Sequence, residues 1–214
     1  MTGLIKLLLA DLAVDKFNIL AFKIEILQIR QLLSMPYLYM LVIYCNFSGY
    51  TDVALGIGKL FGISLTDNFN KPYKRSNIID FWNNWHITLS TWLQEIIFIP
   101  CRRRLGAVLK LDSYLLAGLA SAVTMTVCGL WHGFTLNFLF WGIYHGAGIF
   151  ITRLYQKKML DYFGQKKYFS IKKNYAYILI SWLATFNFIC MGWFLFCFDI
   201  KKLEFILNKI SVLL

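Results

Sequence analysis

Three histidines, His86, His132 and His145, are the side chains of this 214-residue sequence whose ordinary pKa lies nearest neutrality. His132 sits between glycines in Gly129-Leu130-Trp131-His132-Gly133. Glycine permits unusual backbone geometry and close approach of a substrate. A neutral imidazole in a partly dry cavity there suits the work of a general base on a hydroxyl. His86 follows two tryptophans in Phe81-Trp82-Asn83-Asn84-Trp85-His86. His145, in Tyr144-His145-Gly146, reads as a structural hydrogen-bonding group between helices, and that bland role is open to any histidine in an apolar chain. On one continuous helix the 13 residues from His132 to His145 rotate by roughly 220°, so the two would not share a face.

Other chemistries fit the residues less well. The five cysteines, Cys45, Cys101, Cys128, Cys190 and Cys197, form no C-x-x-C pair, and four lie in apolar stretches, which makes a poor disulfide framework and a poor zinc site. Cys128 stands four residues before His132 and could share its helical face as a nucleophile, but a packed apolar cysteine is the better reading. None of the histidines has the short-spaced partners that a metal site needs. G-x-S-x-G, Walker A and dinucleotide-binding glycine patterns are absent from the sequence.

The elements that must hold these residues are membrane helices. The sequence is 58% apolar and 15% charged, against about 45–50% and about 25% in soluble domains. No Asp, Glu, Lys or Arg occurs in the 40 residues between Asp112 and Arg153, in the 25 between Lys173 and Asp199, or in the 21 between Arg30 and Asp52. A span needs roughly 20 predominantly apolar residues, so the windows hold about two, one and one spans. This excludes a soluble domain, a secreted disulfide scaffold and a disordered chain. The net charge of +11 is concentrated between apolar stretches, as in Arg102-Arg103-Arg104 and in the segment 153–173. Short basic loops stay cytoplasmic, which explains the charge better than nucleic acid does. No cleavable signal peptide is evident, because Lys6 and Asp11 interrupt the first apolar run.

Along the chain, residues 1–35 read as a helix at the membrane surface or facing a partner. A span starts at Pro36 and runs into Asn46, Ser48, Gly49, Tyr50, Thr51 and Asp52. Polar groups at such depth normally face protein or a water-filled cavity, and the recurring glycines suggest close packing or a broken helix. Residues 62–76 form a loop. Asn77 and Asp80 resemble a capping box that opens a helix at about 78, on which Trp82, His86 and Ser90 stack at i, i+4, i+8. Pro100 is expected to end that helix. A hairpin of spans at 114–131 and 134–152 turns at Trp131-His132-Gly133, a span at 175–198 follows, and a short helix ends the sequence. The whole, 1–214, reads as a single all-α membrane domain, a polytopic helical bundle.

Four motifs then occur in order: Tyr44-Cys45-Asn46-Phe47-Ser48-Gly49-Tyr50-Thr51-Asp52, Asn68-Phe69-Asn70-Lys71-Pro72-Tyr73, Phe81-Trp82-Asn83-Asn84-Trp85-His86-Ile87-Thr88-Leu89-Ser90, and Gly129-Leu130-Trp131-His132-Gly133. Together with Trp141-Gly142 and His145-Gly146, they resemble the membrane-bound O-acyltransferase (MBOAT) family, in its bacterial alginate O-acetylation and teichoic-acid D-alanylation branch. The resemblance covers roughly residues 3–198 and corresponds to the C-terminal part of the family's pattern. Asn46 stands where members typically have Asp, and Cys101-Arg102 where many alginate-type members have Gly-Gly.

The resemblance implies a helical fold with a central tunnel or funnel, and acyl transfer from a thioester to a hydroxyl of a cell-surface or exported glycan at the cytoplasmic (inner) membrane. It maps catalytic roles onto His132 and His86. Asn84 or Ser90 would help to orient donor or acceptor. Trp131 and Trp85 would shape and dry the passage, with Asn46 and Asp52 among its polar lining. No bound cofactor or metal is implied. The donor is acetyl-CoA or a carrier-protein thioester. Implied partners are the bilayer, the glycan, and a second polypeptide that supplies N-terminal helices or an extracytoplasmic transferase. Three alternatives stand beside acetyl transfer: D-alanyl transfer to teichoic acid, a transporter-like component whose histidines relay protons, and a non-catalytic truncated membrane protein.

Overall fold

Apolar runs of this length can satisfy their backbone polar groups in lipid only as helices or closed barrels, and the computed structural model of the chain is helical. It describes residues 2–213, with no side-chain description at 212 and 213, and no strand occurs among the described residues. Three helices are long and apolar enough to cross a membrane, Ile29–Leu60, Ser113–His132 and Tyr175–Cys197. The chain is an all-α membrane protein. Its residues group into two compact units, 1–69 with 190–214, and 70–189.

In the first unit, α1 (Thr2–Phe22) packs along α2 (Ile29–Leu60). The expected start of the span at Pro36 is corrected: α2 begins at Ile29 and carries Pro36 within it. The helix also runs unbroken through the glycines. A Cβ on Gly49 would lie 3.1 Å from the Gly3 carbonyl oxygen, and one on Gly3 would lie 2.9 Å from Asp52 Cβ. These glycines thus serve the close approach of two helices, a common use of small residues in membranes. Beside that contact Lys6 Nζ meets Asp52 Oδ2 at 2.8 Å. The amphipathic α9 (Ile200–Leu213) adds Leu203 and Ile206 to a core of Phe17, Ile24, Leu32 and Met35.

The second unit is built on the hairpin of α6 (Ser113–His132) and α7 (Leu136–Lys172). Asp112 caps α6, its Oδ1 accepting from the amides of Tyr114 at 2.9 Å and Leu115 at 3.1 Å. The hairpin turns at Gly133 as expected, but of its two helices α6 alone is among the three long and apolar enough to cross a membrane, while α7 runs on into the basic segment. Gly133 has φ 165°, an ordinary extended value, and it is glycine because a Cβ there would meet the Phe138 ring at 2.9 Å. α7 continues well past the apolar stretch into the basic segment, bending at Gly164, whose φ is +70°.

The aromatic segment differs most from expectation. Half of the expected capping box forms: Asn77 Oδ1 accepts from the Asp80 amide at 2.9 Å, but the Asp80 carboxylate accepts from the Asn77 side-chain Nδ2 at 2.6 Å in place of the backbone amide. The helix that it opens, α3, spans only Ile78–Trp82. The chain then turns, His86 takes a left-handed conformation with φ 46°, and α4 (Ile87–Leu93) begins afresh. Trp82, His86 and Ser90 therefore do not stack on one helix. Side-chain bonds to the backbone, strong enough to compete with helix continuation, explain the break. Ser90 Oγ donates to the carbonyls of Trp82 and Trp85, both at 3.0 Å, and Asn84 Nδ2 donates to the Asp80 carbonyl at 2.7 Å. Pro100 does not end the helix either. A π-helical turn at Gln94–Phe98 precedes α5 (Ile99–Val108), and Pro100 occupies the first turn of α5, where its missing N–H costs little.

Candidate functional site

His132 is the last residue of α6. Its imidazole is half-buried among rings, with Trp131 at 4.9 Å, Trp141 at 5.5 Å and Phe138 at 5.9 Å between centroids. Trp131 is 56% exposed, so one side of His132 is bounded by a side chain that is open to its surroundings. Cys128, one turn back, is buried among apolar neighbours.

Trp141 links two histidines. His145 lies one turn further along α7, fully buried, with its ring 4.8 Å from Trp141 and 5.1 Å from Trp82. Sequence distance alone separated His132 and His145 on one helix. The break at Gly133 puts them on adjacent antiparallel helices, both against the Trp141 indole. Tyr144 stacks on Phe188 at 4.2 Å and donates its hydroxyl to the Phe188 carbonyl at 2.9 Å, which fixes α7 to α8 (Tyr175–Cys197) beside the cluster.

His86 is held by the turn between α3 and α4, and its carbonyl accepts the Ser90 amide at 2.9 Å. His86 and His132 lie within electrostatic reach of each other. Burial holds His86 below the usual histidine range, because a charged imidazole loses hydration there. At neutral pH it is therefore an uncharged group that can both accept and donate a hydrogen bond.

The remaining sequence-derived residues take distinct places. Trp85 is buried and stacks on Phe81 at 5.6 Å, with its edge against Tyr73. Asn84 accepts from Arg75 Nη2 at 2.8 Å, and the same nitrogen donates to the Asn70 carbonyl at 2.7 Å. Asn84 and Ser90 thus hold the turn that presents His86. Asn46, half-buried, and Asp52, paired with Lys6, belong to α2 of the first unit. Two contributors were given no site role from sequence, although Trp141 was among the motif residues. Arg75 is a basic residue in a polar loop with no periodicity to flag it. Trp141, four residues before His145, was legible in principle as its neighbour on a helical face. Among the described residues, no group of three or more His, Cys, Asp or Glu side chains is placed to hold a metal ion.

The left-handed turn gives a direct test of the backbone role of His86. His86→Gly is expected to leave thermal unfolding of the purified protein within about 1 kcal/mol of the parent, since glycine adopts this φ without strain. His86→Val, β-branched, is expected to lose about 1–2 kcal/mol. Equal stability of the two variants would show that the turn is not left-handed.

Comparison with known proteins follows the same residues. The family model described as MBOAT, membrane-bound O-acyltransferase family, matches residues 2–198. A peptidoglycan O-acetyltransferase of Helicobacter pylori is 37% identical over 87% of this chain and 31% of its own length. A protein of Pseudomonas syringae pv. tomato named probable alginate O-acetylase AlgI is 34% identical over 74% of this chain and 27% of its own length. A teichoic acid D-alanyltransferase of Bacillus subtilis is 29% identical over 75% of this chain and 39% of its own length. The chain spans less than half the length of each of these curated relatives. With the family model matching nearly its whole length and both histidine motifs inside the match, the chain belongs to the membrane-bound O-acyltransferase family.

Proposed function

We propose that this chain forms the histidine-bearing part of a membrane O-acyltransferase that moves an acyl group from a thioester to a hydroxyl of a cell-surface or exported glycan. The observation that carries this reading is the placement in one compact unit of two histidines from separate motifs, His132 at the end of α6 against Trp141 and His86 on the left-handed turn before α4. In the proposed step, His132 takes the proton of the acceptor hydroxyl as its oxygen attacks the acyl carbonyl. A carbon–oxygen bond forms, the carbon–sulfur bond breaks, and the proton passes to the departing thiolate. His86 orients donor or acceptor, Asn84 and Ser90 set its position, and Trp131 and Trp85 shape the approach. The transfer takes place at the cytoplasmic membrane. An extracytoplasmic transferase or a second membrane polypeptide is the partner this reading expects.

Acetyl-CoA is the first donor to test, because the O-acetyltransferase relatives named above share more identity with this chain than the D-alanyltransferase. A D-alanyl carrier-protein thioester is the second. Membranes that contain the folded chain, supplied with each labelled donor in turn, are expected to place label from acetyl-CoA on glycan as a base-labile ester. Label from the D-alanyl carrier alone would replace acetyl with D-alanyl in this reading. Transfer from neither donor would overturn it for this chain.

A further inference from the structure

The two helices of the second-unit hairpin keep a constant antiparallel register. A Cβ on Gly118 would lie 2.5 Å from the Phe150 ring, and Cβ atoms on Gly146 and Gly142 would each lie 2.9 Å from the Cα atoms of Ala122 and Thr126. Residue 118 thus faces 150, 122 faces 146 and 126 faces 142, which carries Arg153 opposite residue 115, at the start of α6. A second guanidinium is fixed at the same end: Arg102 of α5 donates from Nη2 to Ser113 Oγ at 2.7 Å. Arg102 and Arg153 lie within electrostatic reach of each other at this end of the hairpin. The Nε of Arg153 is buried and has no hydrogen-bond partner, and neither arginine lies in an ion pair among the described residues. The carboxylates nearby have other work. Asp112 caps α6, and Asp161 pairs with Lys157 at 2.6 Å. Tyr114 also lies within electrostatic reach of Arg153.

Two like charges held together with a buried, unsatisfied donor form a site that lacks an anion. Basic pockets between membrane helices on the positively flanked side bind lipid headgroups. The same two helices leave Val123, Val127, Phe140 and Ile143 uncovered along their length, an apolar wall for acyl chains. A free phosphate would use the arginines alone, whereas a lipid uses both features. We propose that Arg102 and Arg153 form a binding site for the phosphodiester headgroup of an anionic glycerophospholipid, with its acyl chains lying along the α6–α7 hairpin.

The test is lipid retention by the purified chain, measured by native mass spectrometry in detergent titrated with phosphatidylglycerol or phosphatidylcholine. Phosphatidylglycerol is expected to be retained in preference. Arg102→Gln and Arg153→Gln are each expected to weaken that retention about fivefold. The exposed-site variant Lys166→Gln with Lys173→Gln removes as much charge or more and is expected to leave retention unchanged. If Arg153→Gln fails to fold, Arg102→Gln still decides. Undiminished retention in the arginine variants, or an equal loss in the lysine variant, would overturn the site in favour of diffuse attraction to charge. Binding of inorganic phosphate with the same arginine dependence, but with no preference between the two lipids, would overturn the lipid.

Discussion

His132→Ala is expected to lower acyl transfer by about 10²–10⁴-fold while leaving the amount of folded protein in the membrane unchanged. That range is what a positioned general base contributes, and it corresponds to about 3–5 kcal/mol of barrier. The two halves of the expectation have separate physical grounds. His132 is the terminal residue of α6 and only half-buried, so truncating it costs little packing, its contacts with the Trp131, Phe138 and Trp141 rings, and interrupts no helix. Alanine has no basic nitrogen to take the acceptor proton, so the substitution removes the base itself. His132→Gln keeps the volume and a hydrogen-bonding group but has no basic nitrogen, and is expected to be nearly as inactive. His145→Ala supplies the contrast. That residue is fully buried among Trp82, Trp141, Tyr144 and Phe188, so its loss is expected to reduce stability first and activity through it. Normal transfer by a well-folded His132→Ala protein would remove His132 from the role of base.

The membrane helices were legible because hydrophobicity and charge are properties of composition over a window, and lipid enforces helices on such windows. The hairpin and its turn at Gly133 followed from the 40 uncharged residues around a G-x-x-H-G pattern. The aromatic segment was not legible to the same degree. Trp82, His86 and Ser90 fit a helical period, yet Ser90 and Asn84 bond to carbonyls within the segment, and those competing bonds end the helix at Trp82. A periodic pattern records which face is apolar and carries no information on whether a side chain will capture its own backbone. Pro100 misled for a related reason. A wide turn before it supplies a first helical turn where its missing donor does no harm, and the local sequence gives no sign of that turn. The residues that bring His132 and His145 to one indole depend on which helices pair, which spacing along one helix cannot express.

Gly142→Ala is expected to cost about 2–3 kcal/mol of stability, as much as a severe overpacking error, although it adds one methyl group. Its Cβ would lie 2.5 Å from the Met125 carbonyl oxygen and 2.9 Å from Thr126 Cα. Both obstacles are backbone, so no rotamer change relieves them and the helices must separate. Gly129 presents the same problem from the other helix, its Cβ falling 2.2 Å from the Phe138 carbonyl oxygen, so Gly129→Ala is expected to be at least as damaging. Gly56 on α2 is the matched control, because nothing lies within 4 Å of a Cβ there. Gly56→Ala is expected to leave stability unchanged or to raise it by about 0.5–1 kcal/mol, since alanine is the better helix former. The measurement is thermal unfolding of each purified variant in the same detergent. Similar midpoints for Gly56→Ala and Gly142→Ala would mean that α6 and α7 do not pack this closely. The separation also reaches the candidate site. Trp141 adjoins Gly142 and touches both His132 and His145, so forcing the hairpin apart displaces the indole that sets the environment of His132. Any Gly142→Ala protein that survives folding is therefore expected to lose acyl transfer with His132 intact, whereas Gly56→Ala retains it.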